Sequence, residues 1–586
     1  MKKINVSDSN ILNGIAAAPG IAIAQAYLYE KEKLEIKDGA ISDVEEAKAN
    51  LKEALDRSKY ELNKIFNIAT EKMGTNRAAI FEAQLMILDD PFLIDQIFKR
   101  IETEKKLPEY IVNDEITRYQ EMMNSSDELY MKERSHDIED IKNRIIRNLQ
   151  KKRLQSKIAG GDVIIVTASL TPADTILFSK SDVRGYITDF GGLTSHAAIV
   201  SRSLKIPAVV GTHDATARIK NGDLLIMDGF HGKIILKPDE AQLEYYKVKI
   251  EKLTQFDKEL AELKDKPAVT LDGKEIIIRG NIDISDEVDY LIQNGAKGIG
   301  LLRTEQIFSD LDTFPGEEEQ YIVYHELAEK IYPEYMIIRA FDVGGDKFLP
   351  NDIKEPNPFL GWRGIRFLLD NPEIFKTQIR AVLRASVHKN IKLMLPMVAS
   401  FEEVKRSKAL IQECKDELRK EKIKYDAHLK IGIMVEIPSA AVLAKEFADE
   451  VDFLSIGTND LIQFILAVDR GNEIVSMQYQ EFHPAVIRTI YSIIKNGQKG
   501  NAFVSMCGEM AGDTVAIPLL VGMGLDSLSV SPSSIPYIKR IIRNLYYSKA
   551  KELADECLSF CSLEQITERI EKFFSENLIK QSNNYI

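Results

Sequence analysis

The sequence contains 586 residues, and because a domain usually holds about 100–200 residues, this length excludes a single small binding module. Lys and Arg number 77 against 90 Asp and Glu, so the formal net charge is −13, which disfavours nucleic acid or anionic lipid as a partner. With 45% apolar and 28% charged residues, the composition is that of an ordinary globular protein and excludes disorder as the main state.

The amino-terminal residues predict neither a signal peptide nor a membrane span. The apolar stretch 11–27 is interrupted by Asn13-Gly14 and again by Pro19-Gly20, so it lacks the continuous apolar run that either would need. The four cysteines are too few for a disulfide framework and form no C-x-x-C pair, which is typical of a reducing compartment. We therefore expect a cytoplasmic protein without membrane insertion.

Residues 42–150 carry the periodicity of helices. Ser42 is followed three residues later by Glu45, the spacing of a capping box, and apolar or small residues then recur at steps of three or four as far as Ile65. Similar patterns cover residues 78–88, 91–105, 110–122 and 126–150. The pattern predicts a helical bundle over residues 42–150.

A small α/β domain is predicted over residues 151–237. Its short β-rich runs lie at 163–166, 185–188, 208–210 and 224–227, and a helical pattern occupies 194–204. Beyond it, apolar residues recur at helical spacing through residues 238–266 until Pro267, which predicts a linker helix.

Residues 267–586 repeat one design, in which a short apolar run is followed by polar or glycine residues and then by a helical stretch. The apolar runs lie at 276–278, 298–302, 336–338, 392–395, 431–435, 453–456, 502–505 and 527–530. Eight such units are the number that a (β/α)8 barrel requires. The predicted fold class is therefore multidomain α/β, with a helical bundle, a small α/β domain and a TIM barrel.

Polar and charged residues follow the predicted barrel strands, namely Asn281, Asp283, Arg303, Glu305, Arg339, Asp342, Glu436, Asn459, Asp460, Cys507 and Glu509. Because the carboxyl ends of such strands converge on one mouth, these side chains would face a common ligand. Arg303, Arg339 and Arg470 are expected to clamp a carboxylate and a phosphate through bidentate hydrogen bonds, which indicates a small, multiply charged anion. The alternative is that these residues reflect only the ordinary polarity of loops. The glycine-rich segment 344–347 follows a predicted strand, and its backbone N–H groups are expected to form a nest for phosphate oxygens.

Two carboxylates and a thiol complete the predicted mouth. Glu436 and Asp460 are hard oxygen ligands with no His or Cys beside them in the sequence, which favours Mg²⁺, or else Mn²⁺, over zinc. Surface salt bridges are the alternative role for these carboxylates. Cys507 directly follows a predicted strand, and its two alternative roles are proton transfer at the mouth and inert packing in the core.

His196 lies in the segment 191–202, where Gly191-Gly192 lead from a predicted strand into a helix. The imidazole would then sit in the first helical turn, near free N–H groups and the positive end of the helix dipole. These groups and the hydroxyls of Thr194 and Ser195 could hold phosphoryl oxygens, and a neutral imidazole is a competent nucleophile near pH 7. A packing or solvent-facing role is the alternative, and we assign that role to the other seven histidines.

Motifs spread over nearly the whole chain resemble those of one family, in the family's order. They lie at residues 14–20, 80–84, 88–91, 191–202, 300–305, 342–347, 357–363, 455–461 and 506–513. By these motifs the sequence is similar to the phosphoenolpyruvate-protein phosphotransferases, which act first in the bacterial sugar phosphotransferase system.

The resemblance implies a role for each predicted site residue. His196 would be phosphorylated, with Thr175 as its hydroxyl partner. Cys507 would protonate the departing enolate at carbon. Phosphoenolpyruvate would be bound by Arg303, Arg339, Asn459, Asp460 and Arg470, and Mg²⁺ by Glu436 and Asp460. The phosphoryl group would pass from His196 to a histidine of the carrier protein HPr, and pyruvate would be released.

The resemblance also implies an organisation. Residues 1–41 and 151–237 would form a swivelling phosphohistidine domain, 42–150 the carrier-binding subdomain, 238–266 the linker and 267–586 the phosphoenolpyruvate-binding barrel, through which the protein would form a homodimer. Hinges near Lys237 and Pro267 would let the swivelling domain move. The sequence departs from the family's pattern at three positions, which are Leu193, Ala197 and Gln84.

Two other functions share parts of this pattern. A pyruvate-phosphate dikinase or a phosphoenolpyruvate synthase would need an ATP-binding domain, but the residues before 163 are mostly helical in pattern and contain no glycine-rich P-loop. A regulatory protein could sense phosphoenolpyruvate without transferring its phosphate. The presence of His196, Glu436 and Cys507 disfavours that function.

Overall fold

The computed structural model describes residues 10–30, 34–73, 75–124, 129–152, 161–179, 181, 183–193, 195–283, 287–305, 314–344, 355, 357–472, 474–500 and 502–577. The chain divides into two compact units, Met1–Glu251 and Lys252–Ile586. Within the described residues, no helix is both long enough and apolar enough to cross a membrane.

Long helices occupy most of residues 44–149. Their bounds are α1 Val44–Met73, α2 Thr75–Leu88, α3 Pro91–Glu104, α4 Pro108–Asn124 and α5 Leu129–Leu149. Buried side chains such as Leu51, Phe81 and Ile111 form a shared core, which confirms the predicted bundle. The predicted capping box is wrong by one residue. Asp43, not Ser42, caps α1 by accepting the backbone N–H of Glu45 at 2.8 Å, because the helix begins at Val44.

A mixed sheet forms the rest of the first unit. Its strands are β1 Ile11–Asn13, β2 Ile15–Ala18, β3 Ile21–Leu28, β4 Val163–Thr167, β5 Val183–Thr188, β6 Ala208–Val210, β7 Leu224–Asp228 and β8 Lys233–Leu236, in the order β1-β8-β7-β3-β4-β5-β6-β2. The helices α6 Pro172–Phe178, α7 His196–Ser203 and α8 Ala215–Arg218 lie between strands in the chain.

The helical region is inserted between two strands that pair directly. Gln25 of β3 is in register with Val163 of β4, and the two strands run parallel. Residues 11–28 therefore belong to the same sheet as residues 163–236, which confirms the predicted small α/β domain. The limits proposed for the individual domains stay predictions.

A closed parallel barrel forms the second unit. In the described residues, its eight strands are β9 Ile277–Ile282, β10 Ile299–Leu302, β11 Met336–Arg339, β12 Ile391–Leu395, β13 Lys430–Val435, β14 Phe453–Ile456, β15 Phe503–Met506 and β16 Ser527–Val530. Each strand pairs in parallel with the next, and β16 closes the barrel on β9. The predicted (β/α)8 barrel is confirmed, since each predicted run overlaps one strand.

Helices connect the barrel strands. Their bounds are α9 Glu240–Ala261, which leads into the barrel, then α10 Glu287–Gln293, α11 Glu317–Ile331, α12 Ile365–Asp370, α13 Pro372–Ala385, α14 Phe401–Lys420, α15 Pro438–Val442, α16 Ala444–Glu450, α17 Thr458–Leu466, α18 Pro484–Lys499, α19 Ile517–Met523, α20 Ile535–Arg543, α21 Tyr547–Ser559 and α22 Leu563–Asn577. Leu301, Ile337, Met394, Met434 and Phe453 form a separate cluster of buried side chains contributed by the strands.

The absence of a side chain at Gly432 leaves room for the Phe453 ring. The two residues lie opposite each other on β13 and β14, and a Cβ added at Gly432 would be 2.5 Å from three atoms of the ring. Gly432→Ala should therefore destabilise the barrel by about 1–3 kcal/mol, because a packed core cannot absorb the clash. Calorimetry should show a lower melting temperature.

The matched control for this prediction is Gly512→Ala. At Gly512, the nearest atom to an added Cβ is the Ser534 hydroxyl oxygen at 3.8 Å, an ordinary contact. Equal melting temperatures for the two variants would contradict the assigned packing.

Candidate functional site

The carboxyl ends of the barrel strands surround a cavity of about 430 Å³. The seven barrel residues with a predicted binding or catalytic role at the mouth all line it, namely Arg303, Arg339, Glu436, Asn459, Asp460, Arg470 and Cys507. Glu305, Asp342 and Glu509, which were also expected to face the ligand, line it too, and so does Arg363, for which no role was predicted. Among the described lining residues, four arginines thus face five carboxylates.

The barrel topology explains how residues so far apart in sequence come together. Arg339 is the last residue of β11, Glu436 directly follows β13 and Cys507 directly follows β15. Because the strands are parallel and the barrel is closed, the residues at their carboxyl ends meet on one face. Asp460 reaches the same face from the first turn of α17.

Arg339 is held by two carboxylates. Its guanidinium lies 3.1 Å from an oxygen of Glu305 and 3.3 Å from an oxygen of Asp342. Burial alone would lower the pKa of Arg339, but the carboxylates of Glu305, Asp342 and Glu436 raise it above its usual value. Arg339 is therefore a permanent, fixed positive charge at the mouth.

Arg363 connects two carboxylates across the mouth. It donates to both oxygens of Asp342, at 3.1 and 2.7 Å, and to Asp460 at 3.3 Å. Arg363 lies within the family motif at residues 357–363, but no role was predicted for it, because it does not follow directly on a strand. Its place in that motif was the signal that could have identified it.

The other two arginines also have acidic partners. Arg303 donates to both oxygens of Asp283, at 3.0 and 3.2 Å. Arg470 lies 3.3 Å from Glu509, whose carboxylate also accepts the Asn459 amide at 2.9 Å. The backbone N–H of Glu509 in turn donates to the Asn459 side-chain oxygen at 2.8 Å. The groups predicted to bind the anion are thus already oriented by hydrogen bonds.

Glu436 is a buried carboxylate among other carboxylates. One oxygen accepts the Met397 backbone N–H at 2.6 Å. Burial, followed by the charges of Asp460 and Asp342, raises the pKa of Glu436, while Arg339 and Arg363 oppose the shift. A divalent cation would relieve this repulsion, so Glu436 and Asp460 fit a hard metal ion.

Cys507 has a buried sulfur at the same mouth. The Ser455 hydroxyl donates to its Sγ at 3.2 Å, and the Asn281 amide donates to its backbone oxygen at 3.1 Å. Burial raises the pKa of the Cys507 thiol to about 11, although the Ser455 hydrogen bond lowers it in part. The sulfur therefore keeps its proton at neutral pH and can act as an acid.

The segment 344–347 was predicted to form a nest for phosphate oxygens. Gly344 lines the cavity, whereas Gly345, Asp346 and Lys347 lie outside the described residues.

His196 is the first residue of α7 in the first unit. Ser195 caps this helix, since its hydroxyl oxygen accepts the Ala198 N–H at 3.3 Å. His196 thus occupies the predicted first turn, where the backbone N–H groups point towards the helix start. Thr194 lies outside the described residues, as do the side chains of His196 and Ala197.

Thr175, Leu193 and Gln84 are the remaining residues that the sequence analysis singled out in the first unit. Thr175 is fully buried on α6, and its hydroxyl donates to the Thr171 carbonyl at 3.1 Å. Leu193 is 54% exposed, and its carbonyl accepts from Arg202 at 2.9 Å. Gln84 is 1% exposed, so this side chain lies inside the bundle and not on its surface.

Family models match three stretches of the chain. They describe a PEP-utilising enzyme, N-terminal, at residues 13–134, a PEP-utilising enzyme, mobile domain, at 160–232, and a PEP-utilising enzyme, PEP-binding domain, at 257–547.

Curated relatives match nearly end to end. A protein of Bacillus sp. (strain S), named phosphoenolpyruvate-protein phosphotransferase, is 41% identical over 97% of this chain and 99% of its own. Relatives with the same name from Geobacillus stearothermophilus and Staphylococcus aureus are 41% and 42% identical, over 97% and 96% of this chain and 99% and 100% of their own.

The raised pKa of Cys507 predicts slow alkylation. At pH 8 a thiol with a pKa of about 11 is thiolate in only about one molecule in a thousand, and burial hinders the reagent further. We expect Cys507 to react with iodoacetamide at least about 100-fold more slowly than the exposed Cys561. Peptide mass spectrometry of timed samples measures both rates.

Ser455→Ala provides a comparison for this prediction. Without the donated hydrogen bond, the pKa of Cys507 should rise further, so alkylation should slow still more. If Cys507 in the unaltered protein reacts as fast as Cys561, the sulfur is not protected as described.

Proposed function

The chain belongs to the phosphoenolpyruvate-protein phosphotransferase family, and on that premise we propose that it moves the phosphoryl group of phosphoenolpyruvate to its own His196 and then to a histidine of the carrier HPr. It is a transferase that releases pyruvate and starts sugar uptake by the phosphotransferase system. The observation that carries the assignment to particular residues is the mouth cavity, in which fixed arginines and a protonated thiol line one space.

Phosphoenolpyruvate would be held by Arg303, Arg339, Asn459, Asp460 and Arg470. Guanidinium groups suit its carboxylate and phosphate because each can donate two parallel hydrogen bonds. Each arginine has a carboxylate partner in the protein alone, so binding would exchange one anionic partner for another. Arg363, which joins Asp342 to Asp460, would hold the metal and substrate sides of the mouth together.

A metal ion would balance charge at the carboxyl-rich side of the mouth. The lining places five carboxyl groups beside four arginines, and repulsion from Asp460 and Asp342 helps to raise the pKa of Glu436. We assign Mg²⁺, with Mn²⁺ as the alternative, to Glu436 and Asp460. When bound, the ion would neutralise phosphate charge and orient the phosphoryl group.

The proposed reaction breaks the bond between phosphorus and the enolate oxygen and forms a bond from phosphorus to an imidazole nitrogen of His196. The enolate then takes a proton at carbon from the Cys507 sulfur, which gives pyruvate, and the thiolate recovers its proton from solvent. A pKa of about 11 supports this role, because the sulfur is protonated when the enolate forms.

The phosphorylated imidazole would be stabilised by the start of α7. Backbone N–H groups of the first turn and the helix dipole favour the added negative charge. Thr175, Thr194 and Ser195 are proposed as supporting hydroxyls. Since His196 and the mouth belong to different units, transfer would need the α/β domain to swivel about hinges near Lys237 and Pro267.

The partners are proposed from the family. HPr would dock on the helical subdomain 42–150, and the protein would work in the cytoplasm as a homodimer through its barrel. The barrel unit exposes neighbouring apolar side chains, since Ile474 and Met477 are 88% and 84% exposed. Such exposure is compatible with a contact surface.

His196→Ala should abolish phosphoryl uptake, because no other group is proposed as the nucleophile. The chain is incubated with Mg²⁺ and phosphoenolpyruvate labelled in its phosphate, and bound label is counted before and after HPr is added. His213→Asn is the matched control, because Asn tolerates the positive φ of 64° that His213 adopts. Equal labelling of the His196→Ala variant would refute the assignment.

Cys507→Ala should separate the two halves of the reaction. Phosphorus transfer does not need the thiol, whereas protonation of the enolate does, so pyruvate formation in a single turnover should slow by about 10²–10⁴-fold. Quenched-flow measurement of pyruvate tests this expectation, with Cys561→Ser as the control for loss of a thiol. Wild-type pyruvate formation by the Cys507→Ala variant would exclude Cys507 as the acid.

A further inference from the structure

Two histidines and a glutamate lie together on the outside of the barrel. His325 and Glu329 are one helical turn apart on α11, and His388 lies in the short turn Ser386–His388 before β12. One ligand atom from each residue lies within 4.8 Å of the other two. Because α11 ends just before β11 and the turn ends just before β12, this group lies at the amino-terminal face of the barrel, opposite the mouth.

The spacing of the three groups suits a metal ion better than hydrogen bonds. Nε2 of His325 is 3.5 Å from an oxygen of Glu329, and Nε2 of His388 is 3.7 Å from the same oxygen. An N–H to oxygen hydrogen bond usually spans about 2.7–3.2 Å. Ligand atoms bound at about 2.0–2.2 Å to a tetrahedral zinc ion lie about 3.4 Å from each other.

The rings are already stacked in a suitable orientation. Tyr321 stacks on His325 with centroids 5.3 Å apart, and His325 stacks on His388 at 5.8 Å with an angle of 20° between the rings. Nδ1 of His325 is buried and has no hydrogen-bond partner among the described residues, whereas Nε2 is the nitrogen that lies beside Glu329. The nearby cation Arg384 is paired with Glu317 at 2.8 Å, so its charge is compensated.

We propose that His325, Glu329 and His388 bind a transition-metal dication of the zinc class, with water in the fourth position. Two imidazoles and a carboxylate favour Zn²⁺, Cu²⁺ or Ni²⁺ over Mg²⁺. The bound ion joins α11 to the turn before β12 and stabilises that face of the barrel. It takes no part in the chemistry of the mouth, and its binding does not depend on the proposed function.

The test is calorimetric titration of the full chain with Zn²⁺ at neutral pH, in excess Mg²⁺ so that the carboxylates of the mouth are occupied. Loss of an outer-shell partner already weakens metal binding about 10- to 100-fold, so His325→Gln and His388→Gln should each weaken this site at least about tenfold. The double variant should bind one Zn²⁺ fewer than the unaltered protein. His428→Gln, a change at an exposed histidine of the same unit, should leave binding unchanged.

A second measurement identifies the ligands. Cu²⁺ bound at this site should give an electron paramagnetic resonance spectrum with coupling to two imidazole nitrogens, and each single variant should lose one of them. Unchanged phosphoryl transfer from phosphoenolpyruvate shows that the variants are folded. The proposal is overturned if the double variant binds Zn²⁺ with the stoichiometry and affinity of the unaltered protein. It is also overturned if His428→Gln weakens Zn²⁺ binding as much as His325→Gln or His388→Gln does.

Discussion

Pairing between buried opposite charges fixes the positions of the side chains at the barrel mouth. Attraction between opposite charges strengthens as water is excluded, but a buried charge without a partner is costly. Arg339 and Arg363 therefore lie beside Glu305, Asp342 and Asp460, and the shared carboxylate of Asp342 joins the two arginines. These pairs fix the side chains before any ligand arrives.

Under the proposed function, this arrangement would make ligand binding an exchange of partners. An incoming carboxylate or phosphate would replace protein carboxylates around guanidinium groups that are already oriented, so little side-chain entropy would be lost. Burial at the same mouth raises the pKa values of Glu436 and Cys507. For Glu436 a cation would relieve the repulsion between carboxylates, whereas for Cys507 the raised pKa would preserve the acid that the proposed reaction requires.

The sequence was most informative where a local pattern and the topology agree. Apolar runs such as 453–456 predicted the barrel strands, and parallel closure then required Glu436 and Cys507 to share a mouth. The position of Asp342 at the mouth followed from its strand, but its pairing with Arg363 was not predicted, because that pairing depends on the fold of the segments after β11, which no periodicity encodes. The start of α1 was misplaced by one residue, because Ser42 and Asp43 are both good caps.

The proposed metal site formed by His325, Glu329 and His388 could not have been predicted from the sequence either. The spacing of His325 and Glu329 is visible in the sequence, but one histidine and one glutamate at a helical turn are usually no more than a solvated face. His388 comes near them only because the turn before β12 packs beside α11. The closed barrel thus gathers side chains at both of its faces, and the residue types decide the chemistry of each. Arginines with carboxylates suit an anion and a hard cation at the mouth, whereas imidazoles suit a softer ion at the opposite end.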